Sequence, residues 1–271
     1  MADDLARLKD LCAGDGERID LLEAGFLLSV LGRGAPAELA PFRQHVTAMT
    51  DDLADLVHRR GATPEALSEV IARSYAYRGD GETYDDLQNA DLVRVIERRK
   101  GLPVALSILY LHVARAQGWE AEGLAFPGHF LIRIGIDGAR HVVDPFHEGA
   151  VREAADLRRL LRQVLGPDAE LAPAHFDAVS DRDVLLRLEN NVRLRLAKRE
   201  DWAGAARSLD RMLAIAPDRI ELLFEAGQLN ARLDKRRAAI AAYERILELD
   251  GDADLRRRAQ ALLQELRRGL N

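Results

Sequence analysis

The sequence holds one cysteine, Cys12, so no disulfide can form within the chain, a composition suited to a reducing compartment. Aromatic residues make up only 5% of the 271, which demands an aliphatic core and favours helix packed on helix. No apolar run approaches the ~18 residues that span a bilayer, and the opening Met1-Ala2-Asp3-Asp4 is acidic where a secretory signal is basic. A cytoplasmic protein without a membrane partner is expected. Basic excess is also missing. The net charge is −6, residues 1–100 carry 19 acidic and 13 basic side chains, and the remainder is balanced at 26 of each. Nucleic acid is thereby set aside as a partner, and Arg256-Arg257-Arg258 reads as the solvated face of a helix. No Gly-rich phosphate loop or dinucleotide fingerprint occurs, so no cofactor is expected.

What is present is aliphatic and arginine-rich. Apolar residues reach 48% and charged residues 31%, enough to bury a core over a length suited to two domains. Arginine outnumbers lysine 35 to 4, and its planar fork pairs with carboxylates. Leu5, Leu8 and Leu11 recur at helical spacing. An apolar helix from Leu21 to Leu31 breaks over residues 32–36, and Phe42, Val46, Met49, Leu53 and Leu56 continue the 3.6-residue period. Thr63-Pro64-Glu65 has the form of an N-cap with proline at the first helical position, opening a helix to about Ala76.

The middle changes character. From Leu102 to Ala114 almost every residue is apolar, which predicts a helix buried on most sides, ending near Gln117-Gly118. The period then falls to two. Residues 121–126 and 129–136 read as strands, Asp137-Gly138 as a hairpin turn, and residues 140–144 as the returning strand.

The C-terminal part repeats. Residues 201–215 align with residues 235–249 at an offset of 34, with Ala205 on Ala239, Leu209 on Tyr243, Arg211 on Arg245 and Leu213 on Leu247. Two helices per 34 residues is the tetratricopeptide spacing. Repeats are expected at about 185–218 and 219–252, with a capping helix from Ala253 and Trp202 packed inside the first repeat.

Chemistry concentrates in the middle segment. With a two-residue turn at Asp137-Gly138 the numbers of paired residues add to 275. His129 and Asp144 then share a sheet face as diagonal neighbours, roughly 7 Å apart at the β-carbons. An imidazole beside a carboxylate is the second half of a nucleophilic triad. Arg133 alternates onto the same face, where it would neutralise Asp144, meet an acidic ligand or stand solvated. His141 falls on the opposite face and His147 lies past Pro145, so a metal cluster would require the strand to break, and no metal is expected.

The stretch Tyr84-Asp85-Asp86-Leu87-Gln88-Asn89, then Lys100-Gly101-Leu102-Pro103 opening the apolar helix, then Phe126-Pro127-Gly128-His129-Phe130 and Val143-Asp144-Pro145-Phe146, resembles the SirB-type transglutaminase-like proteins of bacteria. The resemblance implies an α+β fold. A helical N-terminal lobe (1–83) precedes a transglutaminase-like, papain-like core with a small antiparallel sheet (84–180) and an all-α tetratricopeptide region with a capping helix (181–271). In active members of the wider superfamily a cysteine opens the central helix, where the helix N-terminus stabilises a thiolate, while a His and an Asp come from two strands. Carried over, His129 and Asp144 match the latter pair and Pro103 stands at the cysteine position.

Proline offers no nucleophile and no backbone N–H for an oxyanion. Ser107, one turn further along, is the outside candidate, against the alternative that its hydroxyl bonds its own helix backbone. Cys12 lies in a helix with no neighbour in sequence that would activate it. The expectation is a non-catalytic scaffold or binding protein that takes a protein or peptide partner through its repeats, its His129/Asp144 pair vestigial. The alternative is an amide-bond hydrolase or acyl transferase that uses Ser107. The sequence leaves the oligomeric state open.

Overall fold

A computed structural model describes residues 2–14, 18–34 and 38–268. The chain forms two compact units, one made of Asp15–Leu188 and the other of Ala2–Gly14 with Glu189–Asn271. The second therefore includes the first helix, α1 (Ala2–Leu11).

The first unit begins with α2 (Leu21–Arg33), which Asp20 caps by accepting the Glu23 N–H at 3.0 Å, and which ends where Gly34 turns left-handed at φ 68°. That position falls inside the expected break at residues 32–36; residues 35–37 lie outside the described residues. Next come α3 (Ala40–Arg60) and α4 (Pro64–Ser68). Thr63 caps α4 by accepting the Ala66 N–H at 3.1 Å, with Pro64 in the first turn, as the Thr-Pro-Glu signal requires. The helix runs on into a π-helical turn, Glu69–Ser74.

Two short strands, β1 (Arg78–Gly79) and β2 (Lys100–Gly101), pair in parallel around α5 (Leu92–Arg98). Then α6 (Pro103–Ala116) runs through the middle of the unit. Every residue from Val104 to Leu111 is buried, and the helix packs against α2, α3, α5 and the sheet. Each large aliphatic side chain so placed stabilises the fold by about 1.5–3 kcal/mol. That is why the segment carries no polar stripe.

The sheet has five antiparallel strands: β3 (Glu120–Leu124), β4 (Leu131–Ile136), β5 (Ala139–Asp144), β6 (Ala150–Val151) and β7 (Ala178–Val179), in the order β6-β5-β4-β3-β7. In the β4–β5 ladder Ile132 faces Val143 and Ile136 faces Ala139, the register expected from the Asp137-Gly138 turn. A helix, α7 (Ala154–Leu165), packs Leu157 and Leu161 beside Leu124, Phe126 and Leu131. At the end of the unit Asp181 accepts a two-pronged pair of bonds from Arg115 at 2.7 and 2.9 Å and the Ile19 N–H at 3.1 Å, tying distant stretches of chain together.

The boundary between units falls inside α8 (Asp181–Lys198). The second unit continues with α9 (Trp202–Ile215), α10 (Ile220–Arg232), α11 (Arg236–Glu248) and α12 (Ala253–Arg268). The starts of α9 and α11 lie 34 residues apart, and so do the ends of α8 and α10. The matched pairs Ala205/Ala239 and Leu209/Tyr243 are buried in both copies. The last helix buries Ala259 and Leu263 against Phe224, Tyr243 and Ile246, closing the apolar end of the stack.

Candidate functional site

The start of α6 is held by a network that reaches back some twenty residues. Asp80 is buried and accepts the Thr83 N–H and hydroxyl at 2.9 and 2.6 Å and Arg98 Nη2 at 2.8 Å. Burial pushes the Asp80 carboxyl upward, but the bonds from Thr83 and Arg98 and the charge of Lys100 outweigh it and hold the pKa at about 2. Arg98 also donates to Asn89 Oδ1, and the Asn89 carbonyl takes the Leu102 N–H at 2.9 Å, immediately before Pro103. Gly79 pairs with Gly101. A β-carbon at Gly79 would lie 2.4 Å from the Phe146 ring and 2.5 Å from its carbonyl oxygen, so only glycine lets Phe146 seat there. The segment that opens α6 and the segment that follows Asp144 therefore meet at one point.

His129 does not begin a strand. The extended run starts at Leu131, because Pro127 has no N–H to donate and Gly128 is left-handed at φ 71° under Val164. The His129 ring is half-buried and has no hydrogen-bond partner among the described residues. Burial pulls its pKa below the usual histidine value; the Asp144 charge opposes this, and His147 and Arg152 add to it. These groups are thus its electrostatic neighbours.

Asp144 is 1% exposed and fully engaged elsewhere. Its Oδ1 accepts the backbone N–H groups of Phe146 and His147 at 3.2 and 3.3 Å, capping a 3₁₀ turn, Pro145–His147. Its Oδ2 accepts Arg152 through Nη2 at 2.8 Å and Nε at 3.1 Å, and lies 2.7 Å from His147 Nδ1. Arg133 does not neutralise Asp144: it donates to Glu122 and to the Phe176 carbonyl. The hairpin register does not point to His147 and Arg152 as partners of Asp144. The sequence signal for them was the Asp-Pro step, since a carboxylate before proline caps the turn that brings residue i+3 back onto it.

On the side where a nucleophile would be needed, Pro103 occupies the first turn of α6. Ser107 is fully buried, and its hydroxyl donates to the Pro103 carbonyl at 2.8 Å. Cys12 is buried and belongs to the second unit. Among the described residues no group of three or more His, Cys, Asp or Glu side chains is placed to hold a metal ion, although β5 does end at Asp144 and His147 does return to it. No described helix is long and apolar enough to cross a membrane.

A buried central helix against an antiparallel sheet, with an Asp at the end of one strand and a His just before another, followed by helical repeats, defines a transglutaminase-like core joined to a tetratricopeptide region. The family model of the transglutaminase-like superfamily matches residues 40–190, so the chain belongs to that superfamily, and a tetratricopeptide model matches residues 192–264. Among individual proteins, the UPF0162 protein of Xylella fastidiosa (strain Temecula1) is 33% identical over 187 residues, which is 68% of this chain but only 66% of that relative. The F-box only protein 21 of mouse is 32% identical over 181 residues, 62% of this chain and 27% of that protein. A crystal structure of menin, 10% identical, covers 90% of this chain and 69% of its own with a TM-score of 0.41.

Proposed function

We propose that the protein is a cytoplasmic, non-catalytic member of its superfamily, in which the transglutaminase-like core is a scaffold and the repeats take up a protein partner. One observation carries the first half: no hydroxyl or thiol at the start of α6 is available to an imidazole. Pro103 fills the first turn, and the Ser107 hydroxyl is spent on the Pro103 carbonyl inside the core. The alternative of a serine hydrolase needs that hydroxyl turned out and uncovered.

The second half is supported by the repeat match and by a cleft of about 470 Å³ in the second unit. Tyr243, Leu262, Leu266 and Ala231 line it, rimmed by Asp234, Arg236 and Glu265. Apolar walls with a charged rim suit a segment of a partner protein.

Two experiments test these halves separately. A fluorophosphonate and an iodoacetamide probe, applied to the full chain, should give no labelling that depends on His129. Labelling abolished by His129→Ala would establish an enzyme and end the scaffold reading. For the repeats, Leu262→Glu should remove interactors recovered from native lysate of the source organism by the wild-type chain. An unchanged set of interactors would show that this cleft is not the docking surface.

A further inference from the structure

Two imidazoles stand near Asp144, and the carboxylate bonds the one that lies beyond the strand. His147 Nδ1 lies 2.7 Å from Oδ2, whereas His129 has no hydrogen-bond partner among the described residues. The same oxygen takes two N–H groups of Arg152, so it acts as an acceptor at this point. In the neutral ring the Nδ1 must then be the donor, and the lone pair is left on Nε2.

That ring is also positioned. Asp144 Oδ1 holds the His147 backbone N–H, Phe146 meets His147 edge-on at 5.4 Å, and Phe146 is seated on Gly79. Tyr84 meets Phe146 edge-on at 5.9 Å, continuing a row of three rings. Unlike Asp144, His147 keeps half of its side chain exposed, and Tyr84 is 44% exposed.

We propose that Asp144 is the positioning residue of His147, fixing the proton of the neutral ring on Nδ1 and presenting Nε2 outward as a hydrogen-bond acceptor. This goes beyond the scaffold reading and does not depend on it.

The test is the tautomer of His147 in the full chain. Two-bond proton–nitrogen correlation spectra of histidine-labelled protein, assigned with His129→Gln and His147→Gln, should show His147 in a single form with the proton on Nδ1. Asp144→Asn, which can present an N–H to the ring, should move that proton to Nε2 while His129 keeps its own tautomer. A wild-type His147 that averages both tautomers, or an Asp144→Asn change confined to His129, overturns the inference. If Asp144→Asn does not fold, the wild-type spectrum decides alone. Failure here leaves the probe experiment on His129 unaffected, so the two readings fall separately.

Discussion

Arg211 and Arg245 stand at the same position of successive repeats, yet one is buried and the other is on the surface. In the first repeat Glu189 Oε2 accepts the Ser208 hydroxyl at 2.7 Å and Arg211 Nη2 at 3.0 Å, and all three residues are at least nine-tenths buried. Thirty-four residues on, the counterparts are Leu223, Ala242 and Arg245. Leucine and alanine fill the second site with hydrocarbon, and Arg245 turns outward to Asp218 at 2.7 Å and Glu248 at 2.9 Å with 45% of its side chain exposed. The repeat therefore conserves the backbone path and the small and large positions, not the interior chemistry. A charge that enters the core must bring its partner with it.

That contrast can be broken or sharpened by experiment. The largest effect is expected for Arg211→Ala. It leaves the Glu189 carboxylate in the interior without its cation and should lower stability by about 3–5 kcal/mol in urea unfolding. Glu189→Leu with Ser208→Ala copies the hydrocarbon of the second repeat, and Arg211→Leu removes the cation that would otherwise be left buried without its partner. Together the three should be neutral or stabilising by about 1–4 kcal/mol. A triple variant as unstable as Arg211→Ala would mean that shape, not charge, sets the difference between the repeats.

Asp80 extends the comparison to the first unit. Its folded pKa of about 2 lies below the ordinary value of 3.8, so its bonds stabilise the fold fully above pH 4. This contribution is lost as the pH falls from about 4 to about 2. The advantage of the wild type over Asp80→Asn in urea midpoint should close across that window, and a gap that stays constant would remove the carboxylate's charge from the account. Arg245→Ala is expected to do least, with no shift of the midpoint beyond experimental scatter, because its pairs are exposed to water and salt.

Much of the fold was legible in the sequence because its signals are periodic. The aliphatic run after Leu102 has no polar face, which leaves only a central position for α6. Asp137-Gly138 sets the hairpin register through to Ile132 and Val143, and the 34-residue offset marks where the repeat helices begin. Partners are a different matter. The spacing of Leu5, Leu8 and Leu11 announces a helix but not that α1 packs against α9. Asp144 announces a carboxylate at a strand end, but its bonds to Arg152 and His147 depend on a 3₁₀ turn and a short return strand that carry no period. Extending the β4 strand back to His129 overlooked Pro127-Gly128, where one residue lacks a donor and the next has positive φ.

The seat of Phe146 on Gly79 has a kinetic consequence. Residues 78–79, 100–101 and 146 are far apart along the chain and must all arrive before the turn bearing His147 can settle, so the surroundings of Asp144 are assembled from sequence-distant pieces. Such a junction is expected to form in the late steps of folding. On heating it should open early, with amide exchange at Gly79 and Phe146 outpacing that in the middle of α6 well before the chain unfolds as a whole.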